Sequence, residues 1–231
     1  MSDTEKNRLL DAALDHVMFD GWSDETFQSA VQDTGIELAV AKSIFPRTAL
    51  DMAIAFHERG DAQMAARMKR ENLLGMRYSE RVAAGVRYRL EAVGDHKEAV
   101  RRGSALFALP QNAALGAKLV WGTADAIWTE LGDSSDDFNW YSKRTILSGV
   151  YGSTVLFWLG DDSEGHEKTW EFLDRRIENV MQFEKFKAQM NDNPLASKLM
   201  AGPNWLMSKV KAPSKMRDPD LPGFMSSRPH K

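Results

Sequence analysis

The chain has 231 residues, enough for one domain with or without a small appendage, and enough to bury a sizeable core. It contains no cysteine, which excludes disulfides, thiolate nucleophiles and thiolate metal sites. Its net charge of -3 is unevenly spread: residues 1–59 carry 11 acids against 5 bases, and residues 185–231 carry 9 bases against 3 acids. The acidic head and basic tail face different surroundings.

No proline precedes Pro46, and Ala, Leu, Met, Glu, Lys and Arg fill the periodic segments. Strand-like alternation is lacking, so the expected fold is all-α. The first helix is expected over residues 4–19, with Leu9 or Leu10, Ala13, Leu14 and Val17 as its apolar stripe and Gly21 as its stop. Ser23 is the N-cap of a short second helix, with Asp24 and Glu25 in its first turn. Thr34-Gly35 is a turn, a third helix covers residues 38–44, and Pro46 ends it. Arg47 or Thr48 opens a longer helix through Met68. Three short helices with a tight turn between the second and third make a helix-turn-helix outline.

Further helices are expected over residues 79–92, 97–108, 112–131, 137–159 and 164–190. The last three carry apolar strips that suit a bundle: Ala117, Val120, Trp121, Ala124, Trp128 and Leu131; then Ile146, Leu147, Val150, Tyr151, Thr154, Val155 and Trp158; then Trp170, Leu173, Ile177, Val180 and Met181. Beyond Gln189 the pattern weakens, and Pro213, Pro219, Pro222 and Pro229 argue for a flexible tail. The N-terminus lacks an apolar run behind a basic start, so no secretory signal is expected. No run approaches the roughly 18 apolar residues of a membrane span.

No catalytic centre is expected. The histidines, His16, His57, His96, His166 and His230, form no HxxH, HExxH or ExxH spacing, and His16 reads as an exposed side chain on the first helix. Phosphate-binding glycine loops do not occur, and no cofactor is implied. Asp161, Asp162, Ser163 and Glu164 read as a capping cluster at a helix start. Ser148-Gly149 and Gly152-Ser153 read as close-packing sites rather than nucleophiles. A buried acid or base is not apparent, which fits a mostly neutral ligand.

Residues 35–60, GIELAVAKSIFPRTALDMAIAFHERG, resemble the N-terminal domain of TetR-type repressors. A DNA reader needs its phosphate contacts neutralised. The reading helix offers only Lys42, Arg47 lies just beyond it, and residues 1–59 are net −6. No nucleic-acid partner is expected.

A second resemblance covers the run DDFNWYSKRTILSGVYGSTVLFWLGDDS, residues 136–163, followed by HEKTWEFLDRRIENVMQF, with ALFALPQNAAL at residues 105–115 as a weaker match. These stretches resemble the accessory lipid-binding family of ubiquinone (coenzyme Q) biosynthesis. The resemblance implies a TetR-like fold, a homodimer, no catalytic activity, and an isoprenoid quinone held where a repressor holds its ligand. It also implies assistance to a di-iron hydroxylase and a peripheral position on the inner membrane of a bacterium, or on the matrix side of a mitochondrial one. The implied layout is a degenerate helix-turn-helix domain over residues 1–60, a helical lipid-binding domain over 61–190, a membrane-contact segment over 191–212 and a flexible tail over 213–231. A TetR-type regulator sensing a hydrophobic ligand is the alternative, and an α-helical scaffold without ligand a third.

The adjacent Trp140 and Tyr141 pose a specific question, because neighbouring helical positions point about 100° apart and one core stripe does not take both. The family resemblance places Asn139, Trp140, Tyr141 and Arg144 on a surface that contacts the hydroxylase, and interface hot spots favour aromatics and Arg. The other reading has Trp140 cap the core. For the lipid, the facing strips offer Leu106, Phe107, Leu119, Trp121, Trp128, Leu147, Tyr151, Val155 and Trp158, although for any one of them ordinary core is the better reading.

In the tail, Leu195, Leu199, Leu206 and Val210 share a face, with Trp205 beside it and Lys209 and Lys211 around it. This is the composition of an interfacial helix, although Gly202-Pro203 divides it; docking on its own bundle is the competing reading. Deleting the chain from Pro194 onward is expected to reduce cosedimentation with anionic liposomes, at about 1 kcal/mol per well-placed Lys or Arg, while leaving the bundle folded. Equal sedimentation of full-length and truncated chains rejects the membrane foot.

Overall fold

The computed structural model describes residues 3–71, 73–136 and 138–191; the side chains of residue 181 and of 183–191 are outside the description. Within it run α1 (Asp3–Asp20), α2 (Asp24–Thr34), α3 (Leu38–Ile44), α4 (Ala49–Arg70), α5 (Tyr78–Glu91), α6 (Lys97–Ala108), α7 (Ala113–Glu130), α8 (Phe138–Leu159) and α9 (Glu167–Asn191). Single 3₁₀ turns at Gly94–His96 and Glu164–His166 lead into α6 and α9. No strand occurs among the described residues, in keeping with the all-α expectation. The membrane-contact residues Leu195, Leu199, Trp205, Leu206, Lys209, Val210 and Lys211 lie outside the described residues. Among the described residues, no helix is long and apolar enough to cross a membrane.

The first three helices follow from local chemistry. α1 buries Leu9, Leu10, Ala13, Leu14 and Val17, spaced three and four apart. The Ser23 hydroxyl accepts the Thr26 N–H at 3.2 Å and caps α2. Gly35, at φ 65, closes α2 in the left-handed region where glycine carries no steric penalty. His16, read from the sequence as an exposed side chain, is half-buried, and its Nε2 lies 2.6 Å from Asp33 because α1 packs on α2. On α3, Lys42 is exposed, and Arg47 just beyond it pairs with Asp51 at 2.9 Å.

α4 is the spine. Its 22 residues span about 33 Å, and the expected division at residue 60 falls inside it. One core cluster extends without a break from Leu9 to Ile177, joined through Met52, Ala53, Phe56, Met64 and Met68 of α4. The α7 stripe is rotated from expectation. Leu119, Thr123, Ala124, Ile127 and Trp128 are buried, whereas Ala117 is exposed and Trp121 half-buried. On α8, Leu147, Val150, Tyr151, Thr154, Val155 and Trp158 are all buried, and on α9 Leu173 and Ile177 are.

Two glycine expectations fail. A Cβ on Gly149 or Gly152 would meet nothing within 4 Å, so neither is a close-packing site in this chain. The close approaches are elsewhere: a Cβ on Gly60 would lie 2.5 Å from Arg89 Nη1, one on Gly85 2.9 Å from Ile127, and one on Gly116 2.8 Å from the Phe107 Cβ. Each contact is between two different helices, which a pattern within one helix does not report.

The α8–α9 corner is fixed by Asp161. Its Oδ1 accepts from the Ser163 N–H (2.9 Å) and hydroxyl (2.6 Å), and its Oδ2 from the Thr169 N–H (3.0 Å) and hydroxyl (2.6 Å). Burial alone would raise its pKa, but the hydrogen bonds from Ser163 and Thr169 outweigh that and hold the carboxyl well below the usual range. From α6, Arg101 donates to the Leu159 carbonyl and Lys97 to that of Asp161, both at 2.7 Å, satisfying acceptors at the end of α8. Asp161→Ala is expected to destabilise the fold by about 1–3 kcal/mol, read as a fall in urea midpoint. Since the native pKa is depressed, the wild-type advantage is present above the unfolded value of about 3.9 and shrinks as pH falls below it. A variant with the wild-type midpoint near neutral pH would contradict this.

Candidate functional site: an apolar cavity beside an aromatic patch

Between α4, α5, α6, α7 and α8 lies a cavity of about 290 Å³. Its walls are apolar: Phe56, Leu90, Val93, Leu119 and Val155 are each less than a tenth exposed, and Trp22 closes one side with its indole N–H donating to the Ala99 carbonyl at 3.0 Å. Of the expected lining residues, Phe107, Leu119, Tyr151 and Val155 border it. The other five do not. Leu106 packs against the core, Trp158 is 1 % exposed within it, and Trp128 and Leu147 border a smaller hollow of about 160 Å³ on the α5–α8–α9 side. Trp121 belongs to the surface described below. Helical strips place a residue on a buried face, but which neighbour that face meets is set by how the helices cross.

The floor of the cavity is polar, which sequence reasoning missed. Arg89, 2 % exposed, donates from Nε to Asp61 at 2.6 Å and from Nη2 to the His57 carbonyl at 3.0 Å. The Thr123 hydroxyl is 2.9 Å from Asp61, 2.9 Å from His57 Nε2 and 3.3 Å from the Leu119 carbonyl. Desolvation and the Arg89 charge push the His57 pKa down to about 4, against a partial rise from Asp61, so the imidazole is neutral near pH 7. The expectation of no buried acid or base is therefore corrected. The signals were present: His57 and Asp61 are four apart on one face of α4, and Arg89 follows Val82 and Val86 on the buried stripe of α5.

Trp140 and Tyr141 find their place together on the α7–α8 hairpin. Their rings meet edge to face with centroids 4.8 Å apart, and Trp121 of α7 sits 5.9 Å from Trp140 and 6.4 Å from Tyr141. All three are half-buried, while Asn139 is exposed. Arg144, expected on the contact surface, is instead 3 % exposed beneath it. Its guanidinium lies 4.0 Å from the Trp140 ring centroid and donates to Asp125 (2.5 Å), Asp133 (3.1 Å) and the Trp140 carbonyl (3.2 Å). A planar, always-charged fork between two carboxylates holds the ring from below. Burial would raise the Asp133 pKa, but hydrogen bonds from Lys143, Ser135 and Arg144 bring it down to about 2.

Residues 113–184, the stretch from α7 into α9, match the COQ9 family. It is 31 % identical over 183 residues to the mitochondrial ubiquinone biosynthesis protein COQ9 of Rattus norvegicus, covering 76 % of this chain and 58 % of that protein. The COQ9 of Drosophila melanogaster is 31 % identical over 191 residues, covering 81 % of this chain and 58 % of the relative. The probable COQ9 of Dictyostelium discoideum is 27 % identical over 197 residues, covering 81 % and 63 %. The chain thus spans about 58 % of the length of the first two COQ9 relatives it matches. A TetR transcriptional regulator from Nitrosomonas europaea superposes with a TM-score of 0.66 at 18 % identity, over 78 % of this chain and 99 % of that one, which shows the TetR-like fold. The COQ9 match covers both helices of the aromatic hairpin and the α7 and α8 walls of the cavity.

Arg144→Ala is expected to cost about 3 kcal/mol, because it leaves the buried Asp133 carboxylate short of a partner and removes the support under Trp140. A denaturant titration with unchanged midpoint would contradict that role.

Proposed function

We propose that this chain is a non-catalytic lipid-binding protein of ubiquinone biosynthesis, which holds an isoprenoid quinone intermediate in its cavity and presents it to a di-iron hydroxylase docked on Asn139, Trp140 and Tyr141. The observation that carries the proposal is the sharing of α7 and α8 by the cavity and the aromatic patch, within the stretch that matches COQ9. A volume of about 290 Å³ is at the low end of ligand pockets, which run roughly 300–1,000 Å³. It holds a ring or a few isoprene units, and the rest of a long tail passes out beside Leu156, which is 68 % exposed at the rim.

Transfer is then a matter of adjacency. About ten residues of α8 separate Tyr141 from Tyr151 at the cavity wall, a rise of about 15 Å. A partner seated on the patch lies within one lipid length of the cavity. The same proposal has the chain act as a homodimer and rest on a membrane through residues 191–212, with no role for nucleic acid.

Two measurements test the reading. Organic extraction of the purified chain, followed by mass spectrometry, is expected to yield a quinone-like isoprenoid lipid, or to do so after incubation with ubiquinone; repeated absence of both rejects lipid binding. Trp140→Ala is expected to weaken calorimetric binding to the hydroxylase by more than about 1 kcal/mol with the fold intact. Equal affinity rejects the docking surface, and a large fall in melting temperature assigns Trp140 to the core instead.

A further inference from the structure

The polar floor of the cavity is costly to build. Burying an ionised pair is offset only by good geometry and further hydrogen bonds, and apolar residues of similar volume would often serve stability as well. Here Arg89, with His57, borders a space otherwise walled largely by apolar residues such as Phe56, Leu90, Val93 and Val155, and Asp61 pairs with Arg89 from behind that lining. Gly60 is required for it, since any Cβ there would meet the Arg89 guanidinium at 2.5–3.0 Å.

The Thr123 hydroxyl is the hub of the floor: it also hydrogen-bonds the Tyr151 hydroxyl, and the second Asp61 oxygen lies 3.6 Å from His57 Nε2. Thr123 has one hydroxyl proton, and two of its neighbours, the Asp61 carboxylate and the Leu119 carbonyl, can only accept. With that proton given to Asp61, the contact at 2.9 Å to His57 requires Nε2–H to donate. The imidazole is therefore the Nε2–H tautomer, with an acceptor lone pair on Nδ1. Arg89 has committed Nε and Nη2 but still carries further N–H donors, and both residues border the cavity. The formal charges of Arg89 and Asp61 cancel, so the floor offers a donor and an acceptor without net charge. A carboxylate or phosphate entering this apolar space would be an uncompensated buried charge, whereas a phenol, alcohol or carbonyl oxygen would not.

Resting on the lipid-binding reading above, we propose that the cavity takes its amphiphile head first: a neutral, oxygen-bearing ring docks on Arg89 and His57, and the apolar tail leaves past Leu156. The floor acts as a head-group filter, admitting neutral prenyl-phenol or quinone-type heads and rejecting bare hydrocarbons and fatty acids. The Tyr151 ring, whose centroid is 6.0 Å from the Arg89 guanidinium carbon, supplies a flat wall for an aromatic head.

The test titrates decyl-benzoquinone, decylbenzene and decanoate into the full chain by calorimetry near neutral pH. The quinone is expected to bind about tenfold tighter than decylbenzene, the scale of one hydrogen bond to a charged group, and decanoate more weakly than the quinone. The double variant Arg89→Met/Asp61→Leu, which strands neither partner, is expected to keep decylbenzene affinity and lose the quinone preference to within about twofold. If that variant fails to fold, His57→Leu carries the test and is expected to lose at least half of the preference. Equal binding of quinone and decylbenzene by the wild-type chain, or a variant that keeps the tenfold preference, overturns head-first binding and leaves lipid binding intact. Binding of none of the three probes overturns both readings.

Discussion

The structure depends on a buried charge pair. Arg89 of α5 reaches Asp61 of α4, and Thr123 of α7 joins them, with Tyr151 of α8 against the guanidinium. Four helices are thereby held in one relative placement by groups that tolerate little slack. Apolar faces slide and repack at modest cost, but a guanidinium withdrawn from water is strongly penalised if its acceptors move away. Gly60 belongs to the same constraint, since its missing side chain is the space the guanidinium occupies.

A second buried arginine does the corresponding work at the other end of α8. Arg144 is 3 % exposed and spans from Asp125 of α7 to Asp133 of the connection, passing beneath Trp140. It adds a charged support to the ring contacts of the aromatic hairpin, which are worth about 0.5–1.5 kcal/mol each. With it, Trp121, Trp140 and Tyr141 form a ledge whose orientation is set from inside. Rigid presentation matters for a docking surface, because side-chain freedom lost on binding is subtracted from affinity. Cavity and ledge are thus two polar-anchored features on one pair of helices, and α8 is the rod between them.

The remaining corners are fixed by short-range polar chemistry. Asp161 gathers the N–H and hydroxyl groups of Ser163 and Thr169, while Lys97 and Arg101 close the carbonyls at the end of α8. The head packs by the same rules, with Ser23 and Gly35 bounding α2 and a Thr48 hydroxyl bond to Asp24 tying the start of α4 to α2.

Helix positions, caps and the all-α class were legible in the sequence because they depend on neighbours three or four residues away. Leu9, Val17, Leu147 and Trp158 announce a buried face by spacing alone, and Ser23, Gly35 and Asp161 announce termini by their own side-chain chemistry. The adjacency of Trp140 and Tyr141 likewise signalled that one stripe would not hold both. Which strip lines a cavity was not legible. Trp121, Trp128, Leu147 and Trp158 carry the same periodic signal as Leu119 and Val155, and only the crossing of the helices sends them to a ledge, a second hollow or solid core. The burial of Arg144 and the meeting of Arg89 with His57 and Asp61 were decided by the tertiary structure for the same reason. An arginine is six bonds long and reads as surface in any local window; it becomes interior only when a carboxylate from another helix is brought within hydrogen-bonding distance.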